Sequence, residues 1–548
     1  MNLIHDKWIP IRRKSGKKEK IAPWQVTEDM ASDPILELAA VRPDFNGALI
    51  QFLIGLLQTT CAPNSNREWR AWRDNPPPSD ELKRKFEEIA FAFNLDGDGP
   101  RFMQDLTLES ELKKEDRPET IDKLLMDSPG DQTLKENRDL FIKRNRMNQL
   151  CIGCCAQALL NLQMIAPEGG RGHWAGFRGG GPVNTVIIGS NLWGTLWNNI
   201  FLRMEFDAMA TSTKSDAKDI FPWLASTRIS SAVTKKDDKG KKTKTYSNVY
   251  TSQDIHPAQI YWAMPRRIRL CFVDDEGICE LCHQNGRLVK EYFTKPYGSK
   301  YMGLVHPLTP VSKRDGEINA RHWQKGESLA YKHWLGYVHN TSDGDEPAGV
   351  INVAINRRML DFRLWAFGYD MDSMKTRCWY EGVMPVVTIK DENKRQTYEA
   401  EITSIIKAAD SVAVSLRDAV KNAWFDPDPK KQKKKNVDLG FIVQRFWQET
   451  EPDFYQSISK LREAVIAGND GIAVKQEWYE RITHKAEQIF DEVSQAEMID
   501  EVNVKRVAQA RNKFMGTIRS KKIRQDILGL PDRTKEQKEE DIHANQTV

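Results

Sequence analysis

The spacing of apolar residues in the C-terminal part of the chain predicts a bundle of helices. From about residue 396 onward glycine and proline become rare, and apolar side chains recur every three to four positions. The first run contains Ile402, Ile405, Ile406, Ala409, Val412, Leu416, Val420 and Trp424. Similar patterns follow over about 438–466, 474–497 and 501–526, with breaks near "DPDPKKQKKKN" and "AGNDG". Amphipathic helices joined by short loops predict a four-helix bundle.

The pattern before residue 390 is different and predicts an irregular α+β region. Strand-like runs alternate there with helical stretches and with many glycine, proline and tryptophan residues. These runs are "KWIPIRR", "NTVIIG", "IYWAM", "RIRLCFV" and "GVINVAI". After "NPPP" we expect Ser79 to cap a helix. Its buried face should contain Leu82, Phe86, Ile89, Ala90 and Phe93.

The change of pattern sets the expected domain boundaries. Residues 1–390 are predicted to form a large α+β domain, and residues 391–528 are predicted to form the C-terminal four-helix bundle. Residues 529–548 lack apolar periodicity and are predicted to be a disordered tail.

Composition and charge exclude several classes of protein. The chain has 548 residues, of which 40% are hydrophobic and 29% are charged, as in an ordinary globular protein. Asp6 and Lys7 occupy positions where a secretory signal needs apolar residues, and the longest apolar stretch is too short for a bilayer. We therefore expect a cytoplasmic protein without a membrane partner. The net charge of +4 is a small difference between 81 basic and 77 acidic residues, so any basic surface must be local.

Two Cys-x-x-Cys pairs are the strongest chemical signal in the sequence. The first is Cys151 with Cys154, and the second, far downstream, is Cys279 with Cys282. Two such pairs can supply four thiolates to a tetrahedral zinc ion. Because four thiolates leave no coordination position open, the predicted zinc is structural and not catalytic.

The remaining cysteines and a nearby histidine leave alternatives open. Cys155 is either a packing residue or a substitute ligand, and His283 beside the second pair is a competing ligand. Cys61, Cys271 and Cys378 have no paired spacing, so we assign them to packing.

A glycine-rich stretch and three basic segments are candidates for nucleic-acid contact. "APEGGRGHWAGFRGGGPVNT" places Arg171, His173, Trp174 and Arg178 among glycines that allow close approach of the backbone to a ligand. The alternative interpretation is a set of tight turns. "LFIKRNRMNQ" sets cations beside an aromatic residue. The lysine runs "TKKDDKGKKTKT" and "PKKQKKKN" are expected to be loops that add nonspecific attraction to phosphates.

These features together resemble a known family. In order along the chain they are "MNLIHDKWIPIRR", "LFIKRNR" leading into "CIGC", the glycine-rich stretch, "CELC", "LVHPLTP" and "GYDMDSMKTRCWYEG". This order is similar to that of the CasA family, the large subunit of the type I-E CRISPR surveillance complex Cascade. The resemblance implies a non-catalytic subunit that reads the protospacer-adjacent motif of double-stranded target DNA, promotes strand separation and recruits a helicase-nuclease. The implied partners are the other Cascade subunits, the guide RNA and the target DNA.

The resemblance also implies roles for particular residues. The family's DNA-reading glycine loop corresponds to Glu168, Gly169, Gly170 and Arg171, and its groove-reading lysine corresponds to Lys295, with Lys300 as the alternative. The duplex-opening wedge falls on Asp372 and Ser373. The loop that contacts the guide RNA and the motif region corresponds to Phe141, Lys143, Arg144 and Asn145. Glu168 and Arg171 depart from the glycines of the usual family pattern, and the wedge lacks the glutamine found in some members.

Two other classes compete with this interpretation. A zinc-dependent nuclease requires an open metal site or a carboxylate cluster, and neither pattern is evident near the cysteines. His306, in "VHPLTP", is expected to be a structural histidine. The stronger rival is a scaffold subunit of a nucleoprotein complex that does not read DNA directly.

Overall fold

The structure, a computed structural model, divides into two compact units. It describes residues 1–139, 147–170, 172–236, 242–314, 316–323, 330–341, 344–359, 361–372, 375–425, 438–494 and 503–532. The first unit comprises the described residues within Met1–Lys325 and Ser342–Met384. The second comprises those within Gly326–Thr341 and Pro385–Val548.

The strands of the described residues form small, mostly antiparallel sheets. They are β1 Ile9–Arg13, β2 Lys18–Ile21, β3 Ile35–Leu38, β4 Glu119–Thr120, β5 Leu150–Cys151, β6 Asn184–Ile188, β7 Ser231–Lys236, β8 Lys242–Ser247, β9 Arg267–Ile278, β10 Asn285–Lys295, β11 Val311–Arg314, β12 Glu317–Ala320, β13 Asp345–Glu346, β14 Asp361–Asp372 and β15 Lys375–Val387. The strand orders are β2-β1-β3, β12-β11-β13, β15-β14-β6 and β4-β10-β5, with β9 also paired to β10 and with β7 paired to β8.

The α-helices of the described residues are short in the first unit, apart from two, and long in the second, apart from one. They are α1 Pro43–Cys61, α2 Asn66–Asp74, α3 Ser79–Glu87, α4 Asp131–Lys135, α5 Ile152–Ile165, α6 Leu192–Asn198, α7 Arg203–Asp207, α8 Ala217–Ile220, α9 Gln259–Trp262, α10 Trp334–Val338, α11 Gly349–Asn356, α12 Glu392–Trp424, α13 Gly440–Ala467, α14 Ile472–Ser494 and α15 Val504–Ile518. The predicted fold class, α+β with C-terminal helices, is confirmed.

Helix α1 lies in the core of the first unit. Almost all its side chains are buried, and Phe52 meets four aromatic rings edge-on. Its ring centroid lies 5.2 Å from Trp8, 6.0 Å from Phe93, 6.0 Å from Phe102 and 5.7 Å from Trp262. Edge-to-face contacts at these distances add to the free energy gained by burying the rings.

Three local predictions for this unit are wrong. The runs "IYWAM" and "GVINVAI" form the helices α9 and α11 and not strands. In α11 the buried residues Val350, Ile351 and Ala354 have helical spacing. A short apolar run satisfies either secondary structure, so tertiary packing decides between them. Ser79 is the first residue of α3, while the capping position belongs to Pro78.

The lysine run "TKKDDKGKKTKT", predicted to be a loop, has described residues that form a hairpin. Strands β7 and β8 pair in an antiparallel register from Ser231 opposite Ser247 to Lys236 opposite Lys242. Alternating Thr, Val and Tyr residues near its base favour a strand despite the lysines farther out.

In the second unit α12 contacts each of the other three long helices of the described residues. Its inward face contains Ile402, Ile405, Val412 and Leu416, as the apolar spacing predicted. Polar groups of buried aromatic residues bond to the backbone of neighbouring helices. Trp478 Nε1 donates to Ile405 O at 2.9 Å, for example. Gly468, with φ 80°, ends α13 in the left-handed conformation.

A segment from the middle of the sequence packs into this helical unit, which the apolar pattern did not indicate. The ring of Tyr331 stacks on Phe454 with centroids 4.3 Å apart, and its hydroxyl lies 2.9 Å from Thr450 Oγ1. Trp334, at the start of α10, is fully buried and donates from Nε1 to Pro385 O at 2.9 Å. The core of the bundle is therefore completed by residues that precede it by more than fifty positions in the sequence.

No helix among the described residues is long and apolar enough to cross a membrane.

The Tyr331–Phe454 stack generates a stability prediction. We expect Phe454→Ala to destabilise the helical unit by about 3–5 kcal/mol, because it removes a fully buried ring and leaves a cavity under Tyr331. Urea unfolding followed by circular dichroism measures the change. Phe441→Ala is the matched control, since Phe441 lies in the same helix with 47% of its surface exposed. Equal loss in both variants would contradict the prediction.

Candidate metal centre and nucleic-acid interface

Four cysteines from three elements meet at one end of the β9–β10 ribbon. Cys151 is the last residue of β5 and caps α5, while Cys154 lies in the first turn of that helix. Cys279 and Cys282 lie in the turn that joins β9 to β10. Their Sγ atoms all lie within 4.8 Å of one another. The predicted grouping of the two Cys-x-x-Cys pairs is therefore confirmed.

The spacing of these sulfurs fits a tetrahedral metal ion. With Zn–S bonds of about 2.3 Å, two ligands of a tetrahedral site are about 3.8 Å apart. Cys151 Sγ lies 3.7 Å from Cys282 Sγ. The Cys282 N–H donates to Cys279 Sγ at 3.5 Å, a bond that stabilises sulfur in its thiolate form. The site can therefore hold zinc with little rearrangement.

The thiols of the cluster shift one another's pKa. Hydrogen bonds with Cys151 and Cys279, together with burial, raise the pKa of Cys154. The pKa of Cys279 is lowered because its sulfur accepts hydrogen bonds from Cys151 and Cys154. Thiolates this close repel one another, so ionisation of one suppresses ionisation of the next. A bound divalent cation removes that conflict, because it stabilises all four thiolates.

The two alternative ligands, Cys155 and His283, are not part of this four-cysteine group. Cys155 is completely buried and is not part of the four-sulfur group, which fits the packing alternative. His283 is exposed at a φ of 57°, and its N–H donates to Cys279 O at 2.9 Å. Its backbone completes the turn, while its ring is not part of the group.

The cysteine cluster anchors the C-terminal end of the segment predicted to contact the guide RNA. The N–H of Asn148 donates to the Glu280 carboxylate, and Gln149 Nε2 donates to Ile278 O at 3.1 Å. The predicted contact residues themselves, Phe141, Lys143, Arg144 and Asn145, lie outside the described residues.

The glycine-rich stretch begins with a closed turn. Gly169 N–H donates to His173 O at 2.9 Å, and His173 N–H donates to Gly170 O at 3.3 Å. Gly170 has a φ of 95°, and a side-chain carbon at this position would have no heavy atom within 4 Å, so glycine is required there by the backbone alone. Gly169 and Gly170 are exposed. Arg171, between them and His173, lies outside the described residues.

The buried guanidinium of Arg266 stabilises this turn through hydrogen bonds. The sequence analysis did not predict this role. Its guanidinium donates to Pro167 O and to Trp174 O, the latter at 2.6 Å, so it connects the two ends of the turn. A side-chain carbon on Gly169 would lie 2.5 Å from Arg266 Nη1. Burial lowers the pKa of Arg266 to about 10, which leaves it charged at neutral pH. The only sequence signal was its position before β9, in "PRRIRL".

Two residues that seemed available to nucleic acid, Arg178 and Trp174, are buried in the fold. Arg178 is buried and donates to Gln51 Oε1 at 2.8 Å and to Thr309 Oγ1 at 3.0 Å. Trp174 is 3% exposed and donates from Nε1 to Gly298 O at 2.9 Å. Burial, with a smaller effect of Arg266, lowers the pKa of His173 to about 4, so its ring is neutral. The burial of Arg178 and Trp174 fits the tight-turn alternative.

The two candidate lysines lie on either side of a turn that touches the glycine-rich stretch. Lys295 is the last residue of β10, and two residues later the Tyr297 N–H donates to Gly172 O at 2.7 Å. The Lys295 ammonium donates to Glu111 O and lies 3.3 Å from the Asp116 carboxylate. Lys300 instead lies over two rings, 4.4 Å from the centroid of Tyr246 and 5.2 Å from that of Trp174.

The predicted wedge lies at the end of the β14–β15 hairpin. Asp372 is the last residue of β14 and is half-buried, while Ser373 lies outside the described residues. The hairpin approaches the other end of the glycine-rich stretch. A side-chain carbon on Gly181 would lie 2.7 Å from Tyr369 O and 2.9 Å from Met371 Cε. The glycine-rich stretch thus borders both the lysine turn and the strand that ends at Asp372.

Comparison with known proteins places the chain in a family. The sequence model described as CRISPR-associated protein Cse1 matches residues 2–489. The structure is similar to that of CasA from Thermus thermophilus, with a TM-score of 0.65 and 16% identity over 94% of this chain and 99% of that chain. It is similar to Cse1 from Acidimicrobium ferrooxidans, with a TM-score of 0.65 and 13% identity over 96% of this chain and 99% of that chain.

A further similar chain belongs to a structure described as a CRISPR RNA-guided surveillance complex. Its TM-score is 0.63 with 16% identity, over 95% of this chain and 99% of that chain. At such identities the structural similarity supports the fold, while the match of the sequence model supports membership of the family. The resemblance to CasA is confirmed, since CasA and Cse1 are two names for one kind of protein. This chain belongs to the CRISPR-associated protein Cse1 family.

Proposed function

We propose that this chain is the non-catalytic large subunit of an RNA-guided CRISPR complex. In that role it recognises the protospacer-adjacent motif in double-stranded DNA, promotes strand separation and recruits a helicase-nuclease. Family membership and the similar chain from a surveillance complex support a place in such an assembly. Its partners are then the other Cascade subunits, the guide RNA and the target duplex in the cytoplasm.

One observation carries the DNA-reading part of the proposal. The bond from Tyr297 N–H to Gly172 O brings the exposed turn at 169–170 beside the turn that follows Lys295. These two segments are distant in sequence and were each predicted to contact DNA. Exposed glycines, which let the backbone approach closely, and a long cationic side chain suit the minor groove, where acceptors on A·T and T·A pairs are nearly equivalent. Such a reader tolerates several related motifs.

The pairing of Lys295 with Asp116 is the observation that keeps the scaffold alternative open, because it occupies the lysine without DNA. An ammonium already held by a carboxylate and a carbonyl must exchange those partners for DNA. The Lys295 side chain is 20% exposed and that of Asp116 is 33% exposed. Ion pairs at the surface are worth about 0–1 kcal/mol, so the exchange costs little. Motif-dependent binding of duplex DNA separates the two functions, because a scaffold does not discriminate between motifs.

We propose that Cys151, Cys154, Cys279 and Cys282 bind one structural zinc ion, which holds α5 and β5 against the start of β10. The thiolates would complete the tetrahedron, and the ion would supply folding free energy and no reaction chemistry. The cluster would also fix residues 148–149, where the guide-contact segment ends.

The metal site generates a prediction about Cys279. Cys279→Ser should abolish stoichiometric zinc and lower the melting temperature, because it removes one of four donors. Elemental analysis and thermal melting measure both effects. Cys155→Ser is the control: it alters a buried cysteine of α5, next to the cluster member Cys154, and should leave zinc content unchanged. Native protein without zinc would refute the assignment.

The motif reader generates a prediction about Lys295. In the assembled complex, Lys295→Ala should weaken binding of motif-bearing duplex by about 1–3 kcal/mol, the scale of one base-edge contact. Guide-complementary single-stranded DNA, which has no groove to read, should bind almost unchanged. Titration of labelled DNA at fixed moderate salt measures both affinities.

The partner of Lys295 offers the matched control. Asp116→Asn removes the competing carboxylate and should tighten duplex binding slightly, up to several-fold on the scale of an exposed ion pair. Lys300→Ala tests the alternative lysine. A loss of affinity confined to Lys300→Ala would transfer the role to Lys300, and no effect in either variant would support the scaffold.

The wedge generates a prediction about kinetics. Changing Asp372 and Ser373 together to Ala should slow duplex opening more than initial binding, because the tip acts after the motif is engaged. A fluorescent base analogue beside the motif reports opening, and DNA anisotropy reports binding. Equal slowing of both steps, or opening at the wild-type rate, would contradict a wedge at these positions.

A further inference from the structure

Arg178, within the glycine-rich stretch, is a buried cation whose charge is not balanced by a carboxylate. Its side chain is 6% exposed, and its Nη1 and Nη2 atoms donate to neutral side-chain oxygens of Gln51, Asn184 and Thr309. Within the described part of the chain it forms no ion pair with Asp or Glu. Burial lowers the pKa of Arg178 to about 9, so the guanidinium remains charged at neutral pH. A buried charge is strongly unfavourable unless an opposite charge lies beside it.

Three buried atoms at this charge have no hydrogen-bond partner among the described residues. They are Arg178 Nε, Tyr261 Oη and His306 Nε2. Burial, with a smaller effect of Arg178, lowers the pKa of His306 well below its usual range, so its ring is neutral. Because the Leu308 N–H donates to His306 Nδ1 at 3.1 Å, the ring hydrogen lies on Nε2.

The hydroxyl of Tyr261 is a donor as well. Burial raises the pKa of Tyr261, so the hydroxyl keeps its hydrogen at neutral pH. Arg178 Nε always carries a hydrogen while the guanidinium is charged. All three unpartnered atoms are therefore donors.

Packing contacts bring the three donors together. The rings of Tyr261 and His306 meet edge-on with centroids 5.0 Å apart. The turn after His306 leads back to Arg178, because Thr309 N–H donates to His306 O at 3.1 Å while Thr309 Oγ1 accepts from Arg178 Nη1 at 3.0 Å. The charge of Arg178 also acts on the pKa of both rings. The donors thus border one small region of the core of the first unit.

Such a set of donors favours an anion over a water molecule. A buried water accepts from about two donors and must donate its own hydrogens to nearby acceptors. The unpartnered acceptor in α9, Gln259 Oε1, belongs to an amide whose nitrogen donates to Asp219 O at 2.9 Å, so this amide is held toward α8. A monovalent anion accepts every bond that the three donors offer and balances one positive charge. A doubly charged oxoanion such as sulfate would leave a negative charge unbalanced.

We propose that Arg178, Tyr261 and His306 form a buried site for one monatomic, monovalent anion, which is chloride under ordinary salt conditions. The ion accepts hydrogen bonds from Arg178 Nε, Tyr261 Oη and His306 Nε2. It balances the charge of Arg178 and thereby stabilises the packing of the glycine-rich stretch on α1, α9 and the turn after His306. This inference does not depend on the proposed reading of DNA.

The first test measures thermal melting of the full chain by circular dichroism. Sodium chloride replaces sodium gluconate stepwise at constant ionic strength, and gluconate is too large for a buried site of this kind. The wild-type melting temperature should rise with chloride and level off once the site is filled, because an ion that binds only the folded state stabilises it by mass action. A melting temperature that is the same in both salts would overturn the proposal.

Tyr261→Phe tests whether the hydroxyl binds an ion. The variant keeps the ring and removes one donor. An unpaired buried hydroxyl destabilises a protein, so without an ion its removal should leave the melting temperature unchanged or raise it. With the ion, the variant should melt at a lower temperature than the wild type in chloride. The chloride concentration that gives half of the stabilisation should rise by about tenfold or more, the scale of one hydrogen bond to a charged group.

Tyr301→Phe is the matched control in the same unit. The hydroxyl of Tyr301 is buried and accepts from Met264 N–H at 3.1 Å, so it already has a protein partner. This variant should lose the same stability in chloride and in gluconate. A chloride-dependent loss in the control would indicate a general salt effect. A loss in Tyr261→Phe that is equal in both salts would indicate a bound water. Either result would overturn the proposal.

Bromide locates the ion directly. Crystals of the chain grown with sodium bromide in place of chloride should give an anomalous peak at the bromine absorption edge. The peak should lie within hydrogen-bond reach of Arg178 Nε, Tyr261 Oη and His306 Nε2. Density at that point without an anomalous signal would identify water, and bromide found only on the protein surface would be adventitious. Both outcomes would contradict an anion site.

Discussion

The antiparallel pairing of β9 with β10 is the constraint on which the candidate sites depend. The ladder runs from Ile278 opposite Asn285 to Arg267 opposite Lys295. The cysteine turn lies at one end, and Arg266 and Lys295 lie at the other, separated by roughly 34 Å of strand. Because β5 also pairs with β10, the same ladder places Cys151 beside the cysteine turn. One ribbon thus positions the four-cysteine cluster and the proposed motif reader.

Several cations of the first unit serve the fold and not a nucleic-acid ligand. Arg267 pairs with Asp105 and Glu111, Arg178 donates to buried polar groups, and Arg266 holds the glycine turn. Cations that already have partners add little to long-range attraction of DNA. Attraction of DNA therefore depends on how charge is distributed locally and not on the net charge of +4.

The glycine-rich stretch packs against three other segments, because glycine permits close approach on several sides. It meets the turn after Lys295 at Gly172, the β14 strand at Gly181 and the hairpin base through Trp174. Each contact is made by backbone or by a buried ring, so the exposed turn at 169–170 is supported by packed parts of the unit. The proposed reading and opening segments therefore border one piece of chain, and substitutions along it would affect both of them.

The sequence by itself determined the helical C-terminal part, the α+β character of the rest and the two cysteine pairs, because periodicity and ligand spacing are local properties of the chain. The order of motifs was sufficient to identify the family. Tertiary structure alone decided that "IYWAM" and "GVINVAI" are helices, that Tyr331 and Trp334 complete the bundle and that Arg266 supports the glycine turn. It also decided that Arg178 and Trp174 are buried and that a lysine run forms a hairpin. These outcomes depend on contacts between residues far apart in sequence, and the free energy of such contacts overrides local preference.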